Sequence, residues 1–339
     1  MREADVSVLA IGFFDGVHLG HQAILRGASA ALTFRNHPLS VLAPDRAPPL
    51  MMSLEERVSA MRECGARDVI VLDFTQELAD LTPDAFLAKV RLLHPFSAVR
   101  CGADWRFGRG GEGNAQWLRS HGTPVEVAPY AEWQGERISS SRIRAALSHG
   151  EVEDAAAMAG RPLRVSGRRF RGKGLGGSLG FPTVNIESDA PVLKLLPRGV
   201  YAVEMSGKRG IANYGVAPTL GDGAWNEPVL EVHFPVVPGT PENPANQEVS
   251  ANPEKPEDPE NPETPGIPEN PENPEVPENP ENPENLKIPA TPPETAAPPV
   301  TVSFLSFIRP ERRFPSLAAL KSQIETDCES FRLASRSKK

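Results

Sequence analysis

The chain has 339 residues, 39% of them hydrophobic, with 36 prolines and a formal net charge of −8. That length exceeds one small domain and points to two. Three scattered cysteines (Cys64, Cys101 and Cys328) exclude a disulfide framework and a zinc-ligand cluster, and no apolar run approaches the ~20 residues that span a bilayer.

Along the first 150 or so residues, short apolar runs alternate with helical periodicity. Segments 6–11, 31–34, 69–72, 98–101 and 125–128 are predicted strands. Segments 54–64, 84–93, 115–121 and 140–148 are predicted helices, and a further helix over 151–159 leads onward. Strand–helix alternation implies a parallel sheet covered on both faces. From Gly160 the pattern changes to β-type runs at 163–166, 199–205, 208–216, 229–234 and 300–308, separated by Gly and Pro turns. That predicts an antiparallel barrel or sandwich. Ser316 can cap a last helix with Leu317, Leu320, Ile324, Cys328 and Phe331 along one face.

Twenty of the prolines lie between Pro235 and Pro299, with 13 Glu, one Asp and two Lys; that local charge of −12 leaves +4 for the rest of the chain. Pro recurs at every third position from Pro253 to Pro283, the polyproline II period. Pro removes donors, Glu repels Glu and little is available to bury, so a disordered, semi-extended insertion is expected at about 235–299, either inert or docking a protein partner. The mildly basic remainder suits a nucleotide-phosphate binder. The charged first five residues run straight into a strand, without signal-peptide character, so the cytoplasm is the expected location. Neither a membrane nor a nucleic acid is an expected partner.

The segment Gly12-Phe13-Phe14-Asp15-Gly16-Val17-His18-Leu19-Gly20-His21 follows the first strand and enters a helix. Glycines permit a tight turn and close approach to a ligand, and a helix start offers free N–H groups to phosphate. Gly12, Phe13, Asp15 and Gly16 are therefore candidate ATP-phosphate contacts. His18 and His21, three apart, point to one side and can hydrogen-bond an α-phosphoryl group as charge builds on it. At Ile138-Ser139-Ser140-Ser141-Arg142-Ile143-Arg144, hydroxyls, helix-start N–H groups and two arginines make a second candidate anion site, with Ser139, Ser140, Arg142 and Arg144 as contacts.

These segments resemble the bacterial FAD synthetase branch of the nucleotidyltransferases that carry a His-x-Gly-His motif. The family's Gly-x-Phe-Asp-Gly-x-His-x-Gly-His is present at 12–21. Thr33-Phe34-Arg35-Asn36-His37-Pro38 resembles its Thr-Phe-x-Pro-His-Pro, with Asn36 in place of Pro, and Gly102-Ala103-Asp104-Trp105-Arg106-Phe107-Gly108 resembles a further segment. The resemblance implies a Rossmann-like sheet, catalysis by His18 and His21, and flavin contacts from Asp104 and Phe107. One departure is length. Only 11 residues separate His21 from Thr33, so the helix must be cut to one or two turns, or the local topology altered.

A second Gly-rich, basic segment, Gly167 to Gly177, can wrap phosphates, with Gly172, Lys173 and Gly174 as contacts. Leu179-Gly180-Phe181-Pro182-Thr183-Val184-Asn185 follows it and is similar to a riboflavin kinase motif. Thr183 and Asn185, two apart on an extended strand, face one side and supply hard oxygens suited to Mg²⁺. Asn213 to Thr219 and Glu231 to Phe234 match two more kinase segments. The resemblance implies that Glu231 is the base for the riboflavin 5′-hydroxyl and that Asn213 contacts flavin. It also implies ATP and Mg²⁺, with riboflavin, FMN and FAD as substrates and products. The expected division is 1–159 for FMN adenylylation and 160–334 for riboflavin phosphorylation. Two alternatives are a kinase whose adenylyltransferase domain is impaired by the short segment after His21, and a flavin-binding scaffold that uses the acidic tract.

Overall fold

A computed structural model describes residues 7–170, 177, 180–215, 228–235 and 299–336. In chain order the first part contains β1 (Val8–Ile11), α1 (Leu19–Leu25), β2 (Ala30–Phe34), α2 (Leu39–Leu42), α3 (Leu54–Glu63), β3 (Asp68–Leu72), α4 (Gln76–Ala79) and α5 (Pro83–Leu93). It continues with β4 (Ala98–Gly102), α6 (Ala115–Ser120), β5 (Val125–Ala128), a hairpin of β6 (Glu132–Trp133) and β7 (Glu136–Arg137), α7 (Ser140–Ser148) and α8 (Val152–Ala159). The five longer strands form a parallel sheet in the order β3-β2-β1-β4-β5. β1 and β2 are buried along nearly their whole length, as expected for a sheet covered on both faces.

The short segment after His21 is accommodated without a change of topology. α1 has seven residues, two turns, and β1 still pairs with β2 in parallel. Counted from the end of β1, the crossover includes the turn before α1, so the connection is long enough. Asn36 takes over a fastening role: its amide donates to the Phe74 carbonyl at 2.9 Å and its oxygen accepts the Phe74 N–H at 2.9 Å.

The second part is a closed barrel. β8 (Leu163–Phe170), β9 (Thr183–Glu187), β10 (Gly199–Met205), β11 (Lys208–Gly215), β12 (Val229–His233) and β13 (Val300–Pro310) close in the order β10-β11-β12-β9-β8-β13. Alternation explains the closure: Val184, Ile186, Tyr201, Val203, Leu230, Val232, Val302 and Phe304 are all buried and fill the interior. β8 runs on to Phe170, so Gly167 to Phe170, read in the sequence as the start of a Gly-rich loop, is strand, Gly167 paired with β13 and Arg168 to Phe170 with β9. Residues 171–176, with Gly172, Lys173 and Gly174, lie outside the described residues, as does most of the Pro/Glu tract.

The last helix, α9 (Leu317–Arg336), packs on the barrel's outside through Cys328 and Phe331 against Val200, Ala202 and Ile211. Leu317, expected on its buried face, is 45% exposed. Arg309 binds the buried Asp327 carboxylate through Nε and Nη2 at 2.7–3.0 Å and pins α9 to β13. α7 and α8 do not stand apart from the barrel: one buried cluster runs from Met51 through Ile143, Leu147 and Met158 to Tyr201 and Phe304.

Candidate functional site

In open α/β sheets, ligands bind beyond the carboxyl ends of the strands where strand order reverses. Here that point lies between β1 and β4. A cavity of about 260 Å³ opens there, lined by the residues that follow β1, β4 and β5, by His18 and His21 of α1, and by Ser139 and Ser140 at the start of α7. A second cavity, about 350 Å³, shares Phe13, Phe14, His21 and Ser140 with the first and extends to His37, Arg46 and Arg144. His21 therefore stands where the two meet.

His18 caps α1, its Nδ1 accepting the backbone N–H of His21 at 3.3 Å. The two imidazoles stack, centroids 3.7 Å apart and 17° from parallel, so the His-x-Gly-His spacing brings both to one side. Burial, then the charges of Arg137 and Arg161, lowers the His18 pKa to about 4. Burial first and His18 second hold His21 well below its ordinary value. Both rings are neutral at pH 7, and acceptance at Nδ1 places the His18 proton on Nε2. His21 Nδ1 is buried and has no hydrogen-bond partner among the described residues. An orphaned polar atom at the junction of two cavities is what a ligand-binding group looks like without its ligand.

The turn before His18 is strained. Phe14, Gly16 and Val17 have φ of 59°, 83° and 37°. A fully buried, β-branched Val17 in that region costs of order 1–3 kcal/mol and persists only where its surroundings hold it. Asp15, 1% exposed, anchors the turn. Its carboxylate accepts N–H bonds from Met51 and Met52 at 3.1–3.2 Å and pairs with Arg144 at 2.6 Å. Ser140 Oγ donates to the Asp15 carbonyl at 3.1 Å.

Two arginines placed by sequence in an anion site are thus engaged by protein groups. Arg144 binds Asp15 and the Pro49 carbonyl. Arg142 donates to the Trp133 and Glu136 carbonyls and lies 3.5 Å from the Glu136 carboxylate. Ser139 caps α7, accepting the Arg142 N–H. From α7, its amino end with Ser139 and Ser140 faces the first cavity, and Ser140, Ser141 and the Asp15-paired Arg144 face the second.

On the flavin side, Asp104 lines the cavity and pairs with Arg137 at 2.6 Å, and the Arg137 guanidinium lies 3.8 Å above the Tyr130 ring. Phe107 is set back: it is 6% exposed and stacks at 4.5 Å beneath Trp105, which lines the cavity in its place. Sequence reasoning missed Trp105, Tyr130 and Arg137. Trp105 stood inside a recognised motif and Arg137 immediately before one, whereas Tyr130 carried no signal.

The second site is on the barrel's outer face. β12 pairs with β9 so that Glu231 lies opposite Asn185 and His233 opposite Thr183. On the other side Asn213 of β11 is opposite Glu231, and Phe170 of β8 is opposite Asn185. The neighbours Val184, Ile186, Leu230 and Val232 point into the core, so Asn213, Glu231, Asn185 and Phe170 make one row outside, with Thr183 and His233 beside it. Burial raises the Glu231 pKa. His233 Nδ1 is 2.9 Å from the Pro182 carbonyl, next to Thr183. The described residues contain no cluster of three or more His, Cys, Asp or Glu able to hold a metal. Thr183 and Asn185 offer neutral hard oxygens rather than carboxylates, the donor type Mg²⁺ accepts where substrate phosphates supply the negative charge.

With this geometry in view, comparison with known proteins is informative. A family model described as FAD synthetase matches residues 1–142, and one described as riboflavin kinase matches 159–250 and 294–334. The bifunctional riboflavin kinase/FMN adenylyltransferase of Escherichia coli (strain K12) is 35% identical over 250 residues, covering 67% of this chain and 77% of its own length. The protein so named from Bacillus subtilis (strain 168) is 32% identical over 254 residues, covering 69% and 79%. A solved structure described as a macrolide-efflux protein from Streptococcus pneumoniae superposes with a TM-score of 0.67 over 96% of this chain and 94% of that one, at 24% identity. That likeness concerns the fold alone.

Proposed function

The chain belongs to the bifunctional riboflavin kinase/FMN adenylyltransferase family, and from that premise we propose that its barrel phosphorylates riboflavin to FMN and its parallel-sheet part adenylylates FMN to FAD. The carrying observation is that one chain holds two unlike phosphate-chemistry constellations: a stacked neutral His pair at the sheet's switch point, and a half-buried carboxylate aligned with Asn185 on the barrel. We divide the chain at 159/160. The family matches and the start of β8 at Leu163 support that division. The described residues contain no helix long and apolar enough to cross a membrane. We assign the reaction to the cytoplasm, where ATP is available.

In the kinase step the riboflavin 5′-oxygen bonds to the γ-phosphorus of ATP, the bond to the ADP oxygen breaks, and Glu231 takes the hydroxyl proton. Burial makes Glu231 a stronger base than a free carboxylate. Thr183 and Asn185 would hold Mg²⁺, which neutralises phosphate charge when bound.

In the adenylyl step an FMN phosphate oxygen attacks the α-phosphorus and pyrophosphate leaves. Neutral His18 and His21 offer N–H donors to the α-phosphoryl oxygens, and the amino end of α7 with Ser139 and Ser140 receives the departing charge. Gly12, Phe13 and Gly16 shape the nucleotide's seat. Asp15 and Arg144 hold that seat together, and Arg142 fastens the hairpin that carries Arg137. Asp104 and the Trp105–Phe107 stack border the flavin, and Asn213 flanks it in the kinase site. Positioning and electrostatics supply most of the catalysis in such transfers.

Chromatography of the products from riboflavin, ATP and Mg²⁺ tests the reading. FMN and FAD together are expected. FMN alone reduces the chain to a kinase, and neither product overturns the assignment. No structural observation favours the kinase-only alternative, because the short β1–β2 connection leaves the parallel order intact.

A further inference from the structure

The strained turn that presents His18 is held from an unexpected direction. Arg161 lies in the linker between α8 and β8, on the barrel side of the division. Its Nη2 donates to the Gly16 carbonyl at 2.8 Å and its Nη1 to the Val17 carbonyl at 3.4 Å. The Val17 carbonyl also accepts Gln22 Nε2 at 3.0 Å, and the same Gln22 nitrogen reaches the Ala159 carbonyl at 2.8 Å. Both residues thus bridge the chain junction at 159–161 to the two carbonyls immediately before His18. A remaining Arg161 contact is to Met52 Sδ at 3.4 Å, and Met52 donates its own N–H to Asp15 in the same turn.

Arg161 has no ion pair within 4.0 Å among the described residues, although it is half-buried and burial lowers its pKa. A cation withdrawn from water without a carboxylate is costly. Glu63 and Glu56 act on it only from beyond ion-pair distance, and the groups that contact it directly are the carbonyls of a turn whose φ values, at Gly16 and Val17, are unfavourable by themselves. Each half needs the other: the turn's carbonyls accept the guanidinium's hydrogen bonds, and the turn is held by the guanidinium.

We propose that Arg161, assisted by Gln22, is a positioning residue for adenylyl transfer, holding the Gly16–Val17 turn from the kinase side so that His18 and His21 stand over the α-phosphoryl site. The proposal rests on the adenylyltransferase reading given above. It makes the adenylyl site dependent on a residue that touches neither substrate and lies outside the segment matched by the FAD synthetase model.

The test measures both activities on one preparation of the full chain, with FMN, ATP and Mg²⁺ for the adenylyl step and riboflavin, ATP and Mg²⁺ for the kinase step. Arg161→Met is expected to lower kcat for FAD formation about 10- to 100-fold, the effect of misplacing a catalytic group by ~1 Å. KM for ATP and FMN, kinase turnover and the thermal midpoint should stay near the wild-type values. Arg161→Lys should recover part of the loss, because an ammonium reaches one carbonyl and not the fork of two. Gln22→Leu should lose activity in the same direction and by less. Wild-type kcat in Arg161→Met overturns the proposal. So does equal loss of both activities with a lowered thermal midpoint, which would make Arg161 a docking residue only. A wild-type chain that makes no FAD removes the underlying reading, and is told apart because it fails before any substitution.

Discussion

Acidification should destabilise this fold through His18 in a way that one substitution isolates. In the folded chain His18 titrates at about 4, against an ordinary value of 6.5. Between those values the unfolded chain carries a proton that the folded chain refuses. The contribution is therefore complete above pH 6.5, falls as pH drops toward 4, and is gone below it. At 1.36 kcal/mol per unit, going from pH 7.5 to about pH 5 removes about 2 kcal/mol through this ring alone. His18→Asn keeps a side-chain acceptor at the cap of α1 and does not titrate. Urea unfolding of both proteins at both pH values, followed by tryptophan emission, gives the double difference. Trp105, Trp117 and Trp133 lie in the part built on the parallel sheet; with the fourth tryptophan, Trp225, replaced by Phe in both proteins, the signal reports that part. Wild type should lose about 2 kcal/mol more than His18→Asn. A difference below about 0.5 kcal/mol would refute the claim that His18 is held neutral by its surroundings.

Glu231→Gln keeps shape and removes the base: riboflavin phosphorylation should fall by about 10²- to 10⁴-fold while FAD formation from supplied FMN is unchanged, and comparable rates for both steps would clear Glu231 of that role. Asp15→Asn leaves the Arg144 guanidinium, 11% exposed beside a carboxylate 1% exposed, without its counter-charge; about 3–5 kcal/mol of stability should disappear, and urea denaturation showing less than about 1 kcal/mol would mean that the pair is not the turn's anchor. Gly20→Ala improves helix propensity, yet its Cβ would stand 3.1 Å from His18 Cε1, and the stacked His21 ring leaves His18 little room to yield. FAD formation should drop with little change in thermal midpoint, whereas an unchanged rate would show that the His18 ring can shift freely.

What the sequence disclosed and what it concealed follow the range of the interactions involved. Strands Val125–Ala128 and Gly199–Met205 and helix Ser140–Ser148 were legible to the residue, since each carries its own periodicity and turn signals. The hairpin of Glu132–Trp133 and Glu136–Arg137 is too short to show a period, and with it went the placement of Arg137. β8 reads as strand to Ser166, where Arg164 and Ser166 alternate with Leu163 and Val165, and as loop beyond it, because Gly167, Arg168 and Arg169 bring no apolar side chain to continue the alternation.

The adenylyl site divides in the same manner. His18 and His21 are three residues apart, so their stacking is a property of one helix start. Asp15 and Arg144 are 129 residues apart, and an arginine at a helix start reads in sequence as a free anion contact. Only the fold shows that this arginine's charge is neutralised by a carboxylate from the other motif. The same reasoning explains why Asn36 reads only as a departure from the family's Pro: its two bonds are to Phe74, 38 residues away, just after β3. Motifs thus report the groups that meet the substrate, while the groups that hold those motifs against strain are set by contacts between distant segments. It follows that substitutions at Asp15, Gln22 and Arg161 should impair FAD formation through the shape of one turn, and that their effects should fall short of additivity, because each loosens the same Gly16–Val17 backbone.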